Sequence, residues 1–165
     1  MAGITATVIA ADQAAKSLVL AGHPADGSSF AFVAVRLVRN TGASGGLASG
    51  YPVLVTITAL GVTALAAAFA IRASSRAAAL CLAAVLGGAC GNLSDRLFRS
   101  PGFGRGGVVD WIHIGTGGGS LDLADLAIQF GVLGAVIAMV AAERTRKTRE
   151  ARETRQQEQA DPQTR

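Results

Sequence analysis

The chain has 165 residues, enough for one domain. Half of them are apolar and the mean hydropathy is +0.42, more than a water-soluble domain of this size requires. The net charge of +4 is unevenly placed: twelve charged residues lie after residue 142, while residues 40–71 and 77–94 carry none. With no basic face interleaved with aromatics and no soluble nucleic-acid-binding motif, a nucleic-acid partner is not expected. The distribution is that of a polytopic membrane protein with a solvated tail.

In chain order, the first 22 residues read as a membrane span that carries Asp12 and Lys16. No Lys or Arg precedes its apolar stretch, so it does not read as a cleavable signal peptide. Only eleven residues precede Asp12, so the cytoplasmic end of this span reads as clipped, or the true start lies upstream. Residues 29–39, "SFAFVAVRLVR", are β-branched and aromatic, which predicts short strands in the first connection. Residues 51–71 form a second span without a charge, long enough to cross a bilayer. Residues 77–94 form a third, rich in small residues that allow close helix approach. Cys81 and Cys90 are spaced to face opposite sides of that helix and read as small packing residues. The loop 97–109, "LFRSPGFGRGGVV", has the glycines of a flexible flap. Residues 126–142 make the fourth span, and residues 143–165 a charged tail with no apolar face, expected to be frayed or disordered.

Arg72 and Arg76 lie between spans two and three, and Arg144, Arg146, Lys147, Arg149, Arg152 and Arg155 follow span four. Basic residues concentrate on the cytoplasmic side, so both termini are expected there, and the connections 22–50 and 95–120 outside.

The fold class predicted is an all-α membrane protein. Four transmembrane helices carry a small extracytoplasmic β-rich element after the first, with residues 1–142 as the membrane domain and 143–165 as the cytoplasmic tail.

Before the tail every acidic residue is an aspartate: Asp12, Asp26, Asp95, Asp110, Asp122 and Asp125. Ionisable groups at membrane depth cost a few kcal/mol each, by about 2.5–3.5 kcal/mol on insertion scales, and so mark function. Five of the six fall in or beside spans, toward the outer side as oriented above. Two carboxylates about 3 Å apart share a single proton. One can then take a proton from water while the other polarises a carbonyl. His23 and His113 are far apart and lack companion ligands at metal spacing, which argues against a zinc site. Each motif also has a plain structural reading. "GGACGN" suits helix packing, Asn92 a helix cap, Asp95 a partner for Arg96, and "LDLAD" a helix N-terminus.

The order of the motifs is more specific than any one of them. "DQAAK" (12–16), "VRNTGAS" (38–44), "GGACGNLSDR" (87–96), "GGVVDWI" (106–112) and "LADLAI" (123–128) occur in succession. In this the chain resembles lipoprotein signal peptidase (signal peptidase II), a family of bacterial intramembrane aspartyl proteases, over about residues 5–142.

The resemblance implies cleavage of diacylglyceryl-modified prolipoproteins before the lipidated cysteine, with Asp110 and Asp125 as the catalytic pair. It places Asn40, Asn92, Asp95, Arg96 and Asp122 at or behind the substrate cleft, and Asp12 and Lys16 near the outer end of the first span. No metal or other cofactor is expected. The expected partners are lipidated precursors and membrane lipids, with the chain acting as a monomer in the bacterial cell membrane.

There are departures. Asp122 stands where the family usually has Asn, Leu126 where it usually has a small polar residue, and "SGGLASG" lacks a common aromatic. Asp122 is expected to crowd the catalytic pair, so that Asp122→Asn keeps or improves activity. The alternatives are a non-catalytic relative that binds lipidated substrates, and a small proton-coupled transporter.

Overall fold

The computed structural model describes residues 1–22, 28–30, 33–43, 46–73, 75–114 and 119–160. His23 and Asp26 lie outside them. Four helices and four strands follow in the order α1 (Ala2–Gly22), β1 (Ser28–Phe30), β2 (Val33–Asn40), α2 (Pro52–Ile71), α3 (Arg76–Phe98), β3 (Val108–Ile114), β4 (Ser120–Leu121) and α4 (Leu123–Ala160). All four helices are long and apolar enough to cross a membrane. They coincide with the four expected spans, and α3 and α4 run longer than their uncharged stretches by taking in flanking polar residues.

Local chemistry sets the helix ends. Pro52 starts α2 from the first turn, where its missing N–H is no loss. Ser75 caps α3 by accepting the Ala78 N–H at 3.1 Å. The turn between α2 and α3 is therefore only a few residues long, and the two helices pack antiparallel.

Helix α3 is the hub against which α1, α2 and α4 all pack. Its small residues make this possible. A side chain at Gly87 would meet Thr5 and Val8 of α1, and one at Gly88 would collide with the Ala124 carbonyl of α4. From the other side, Gly131 of α4 sits against Cys81 and Val85. The packing reading of "GGACGN" is thus correct. Gly88→Ala is expected to destabilise the fold by about 1–3 kcal/mol, because backbone rather than a movable side chain blocks the added methyl. A lowered melting temperature in detergent is the measurement that checks this; an unchanged one would mean that α4 yields freely.

Large apolar side chains cover the outside of the bundle. Leu54, Ile57, Leu60 and Phe69 of α2, with Phe130, Leu133 and Ile137 of α4, are exposed. Hydrocarbon is the medium in which such a surface is stable, and the chain is a multi-pass membrane protein.

The strands form one antiparallel sheet in the order β1-β2-β3-β4. The strands predicted over 29–39 are β1 and β2. The sheet is larger than predicted, because "VVDWIHI" of the second connection is itself a strand and pairs with β2, Asn40 opposite Val108 and Val38 opposite Asp110.

The loop before β3 is not a flap. Gly106 donates its N–H to the Arg96 carbonyl at 2.9 Å, and Thr56 of α2 donates to the Gly104 carbonyl at 2.9 Å. A side chain at Gly106 would collide with the Asp95 carbonyl, so the loop clasps the end of α3.

Past the fourth span α4 continues as a single helix, with residues 143–157 exposed throughout. Exposed pairs along its own surface brace it, among them Arg146 with Glu143 and Glu150. Such pairs contribute about 0.2–0.5 kcal/mol each, and a lone polar helix of this length is marginal in water, which is the physics of a frayed tail.

Candidate active site

Asp110 and Asp125 reach one cavity from different elements. Asp110 is buried on β3, held at 2% exposure, and Asp125 stands in the first turn of α4. The cavity has a volume of about 590 Å³ and is lined by both aspartates together with Asn40, Asn92, Arg96 and Gln129. Each aspartate accepts one amide hydrogen. Asn40 Nδ2 donates to Asp110 Oδ2 at 3.2 Å, and Asn92 Nδ2 to Asp125 Oδ1 at 3.0 Å. The Asn40 amide is itself oriented, since its Oδ1 accepts the Gly42 N–H at 3.0 Å. Arg96 Nη2 donates to the Gly42 carbonyl at 2.8 Å. Its Nη1 is buried with no partner among the described residues, and so keeps a donor available at the cavity wall.

Behind the cavity lies a second cluster centred on Lys16, which is fully buried. Its Nζ lies 2.8 Å from Asp12, 2.9 Å from Asp95 and 2.7 Å from Asp122, and it donates to Asn92 Oδ1 at 2.9 Å. Each of the three carboxylates also accepts a backbone N–H at or beside the cavity pair. Asp95 takes that of Val109, next to Asp110, at 3.3 Å. Asp12 takes that of Ala124, next to Asp125, at 3.2 Å. Asp122 takes that of Asp125 itself, at 2.7 Å. One ammonium thus holds together the backbone beneath both cavity aspartates.

The sequence-predicted residues therefore divide. Asn40, Asn92, Arg96, Asp110 and Asp125 line the cavity. Asp95 and Asp122, expected at or behind the substrate cleft, lie behind the cavity with Asp12 and Lys16 in the buried cluster. The reason is charge: a buried ammonium is costly without opposite charge beside it, and these carboxylates supply it. Asp95 also does not pair with Arg96; its arginine partner is Arg99, one turn on.

Two members of the cluster were missed. Gln13 donates to Asp12 at 3.2 Å and to Asp95 at 3.1 Å, and accepts from Arg99 at 3.1 Å. The available signals were the position of Gln13 inside "DQAAK" and the i,i+4 spacing of Asp95 and Arg99.

Burial is the main reason that Asp110 is pushed up to about 7; the Asp122 carboxylate adds to the shift and the Asn40 hydrogen bond opposes it. Asp110 therefore holds a proton near neutrality. Asp110, Asp122 and Asp125 each bring a carboxylate oxygen within 4.8 Å of the others, a spacing that a cation could bridge. Lys16 already meets Asp122, and Asp110 and Asp125 are the two of the three that line the cavity.

Four apolar helices, a small sheet and a cavity lined by two aspartates define the class, a multi-pass membrane protein with two acids at one site. The family model for signal peptidase (SPase) II matches residues 4–141, and the chain belongs to that family.

Among curated relatives, the lipoprotein signal peptidase of Leifsonia xyli subsp. xyli is 35% identical over 134 residues, covering 79% of this chain and 62% of the relative. That of Rhodococcus jostii is 46% identical over 83 residues, covering 50% of this chain and 42% of the relative. The chain thus spans less than two thirds of the length of either. A solved bacterial membrane enzyme, determined by the in meso method at 2.3 Å, superposes with a TM-score of 0.69 at 26% identity, covering 84% of this chain and 85% of that one.

Proposed function

We propose that this protein is an intramembrane aspartyl endopeptidase that removes signal peptides from diacylglyceryl-modified prolipoproteins, cleaving before the lipidated cysteine. The observation that carries this reading is the meeting of Asp110 and Asp125 in one cavity, each held by an asparagine amide.

With one proton between them, the ionised aspartate takes a proton from water as the water oxygen bonds to the scissile carbonyl carbon. The protonated aspartate gives its proton to the carbonyl oxygen. Collapse of the tetrahedral adduct breaks the C–N bond: one hydroxyl returns its proton to the second aspartate as the carbonyl of the new carboxyl group re-forms, and the leaving nitrogen takes the proton that the first aspartate removed from water. The free Nη1 of Arg96 is suited to a substrate carbonyl at the cavity wall. Two acyl chains anchor such a substrate strongly in the bilayer, so the enzyme has mainly to orient its peptide.

In this reading the cavity opens on the extracytoplasmic side of the bacterial cell membrane and both termini are cytoplasmic, as the arginines around residues 72–76 and after residue 142 favour. Residues 1–142 form the peptidase domain and 143–165 a cytoplasmic tail. The chain works as a monomer among membrane lipids and needs no cofactor.

Purified protein in detergent is expected to cleave a diacylglyceryl-modified prolipoprotein at a rate that a chelator leaves unchanged. The rate should fall as pH rises past about 7, where the acid pair that includes Asp110 loses its shared proton. Absence of cleavage, or its loss on chelation, would overturn the reading. A transporter would instead show substrate-dependent proton flux.

A further inference from the structure

The amide of Asn92 has only one workable orientation. An ammonium can only donate, so Asn92 Oδ1 faces Lys16 at 2.9 Å and its NH₂ is turned onto Asp125 Oδ1 at 3.0 Å. From the other side, the Asp125 N–H donates to Asp122 Oδ1 at 2.7 Å, and Asp122 Oδ2 returns to Lys16 Nζ at 2.7 Å. Lys16, Asn92, Asp125 and Asp122 therefore close a ring that grips Asp125 at its backbone and at its carboxylate. Asp122 is fully buried and is not on the cavity wall, so it cannot touch a substrate there.

We propose that Asp122 is a positioning residue for the acid pair: with Lys16 it fixes Asp125 at both ends, leaving Asp125 Oδ2 to share a proton with Asp110. The catalytic consequence rests on the peptidase reading above; the ring itself does not. This reverses the expectation that Asp122 merely crowds the pair. A carboxylate here does what a neutral amide cannot, since one oxygen accepts the Asp125 N–H while the other meets the ammonium.

The charges around Asp122 set the direction of the test. Lys16 and Asp12 face it from α1, Asp95 and Arg96 from α3, Asp110 from β3 and Asp125 from the start of α4. Asp122→Asn keeps an oxygen for the Asp125 N–H but removes the anion that offsets Lys16. The potential at the pair becomes more positive and its shared proton easier to lose.

In the full-length protein, Asp122→Asn is expected to lower kcat about tenfold at pH 7 through misplacement of Asp125, with KM little changed. The alkaline limb of the pH profile should move down by about one unit, and so should the infrared titration of the protonated carboxyl stretch. Should that variant fail to fold, Asp122→Ser keeps an oxygen at the helix start, lacks the anion, and is read the same way.

An unchanged kcat and pH profile, or a raised KM at constant kcat, overturns the proposal. If the wild-type protein does not cleave, the peptidase reading fails, and the infrared titration still decides: a carboxyl band unmoved by the substitution rules out the ring.

Discussion

Asp110→Asn and Asp125→Asn are each expected to reduce cleavage of the lipidated precursor by about 1,000-fold or more, with the helical fold intact. Both changes are isosteric, so the cavity keeps its shape, but an amide neither takes a proton from water nor gives one to a carbonyl. In either variant the remaining carboxylate has no partner with which to share a proton, so the two losses should not add.

Stability supplies an independent check. The folded-state Asp110 is raised from 3.8 to about 7, so the stability associated with its proton is full below 3.8 and is lost as pH rises through about 7. Asp110→Asn removes that dependence, and its melting temperature should fall less than that of the wild type between pH 5 and 8. Substantial cleavage by either variant would sink the assignment of the pair.

Lys16→Met is expected to have the largest effect on stability. Three carboxylates, those of Asp12, Asp95 and Asp122, lose the ammonium between them while staying buried. Removing one partner of a buried ion pair typically costs about 3–5 kcal/mol, and here three acids must protonate or repel one another. The melting temperature in detergent should drop accordingly, and Asp12→Asn added to Lys16→Met should recover part of the loss. If Lys16→Met melts like the wild type, those carboxylates are already protonated and the ammonium is not their counter-charge.

Much of this was legible in the sequence, for identifiable reasons. Uncharged runs of 17 to 21 residues suit a bilayer, so the second, third and fourth spans could be read directly, whereas the first, broken by Asp12 and Lys16, was less plain. The aspartates stood out because each is expensive where it lies. Strand β3 was not legible because its β-branched and aromatic residues make a strand only where β2, distant in sequence, supplies the ladder.

Which aspartates face the cavity and which face Lys16 was not legible, because that depends on how α1 packs on α3. Gly91 settles this by close approach: a side chain there would run into the Asp12 carboxylate. Helix spacing places Asp122 and Asp125 on one face, but only the start of α4 at Leu123 reveals that one is a cap and the other a wall residue.

Helix α4 has a further consequence. Its apolar run from Leu126 to Ala142 is 17 residues, which at 1.5 Å each spans about 25 Å, against about 30 Å of hydrocarbon in a typical bilayer. A run that short draws one of its polar ends below the headgroups or thins the membrane around it. At the end that bears Asp122 and Asp125, the Lys16 cluster offers what water no longer can: an interior hydration shell of fixed charges and amides. Bilayer thickness thereby becomes a variable of the reaction, setting the depth at which the peptide must meet its two acids.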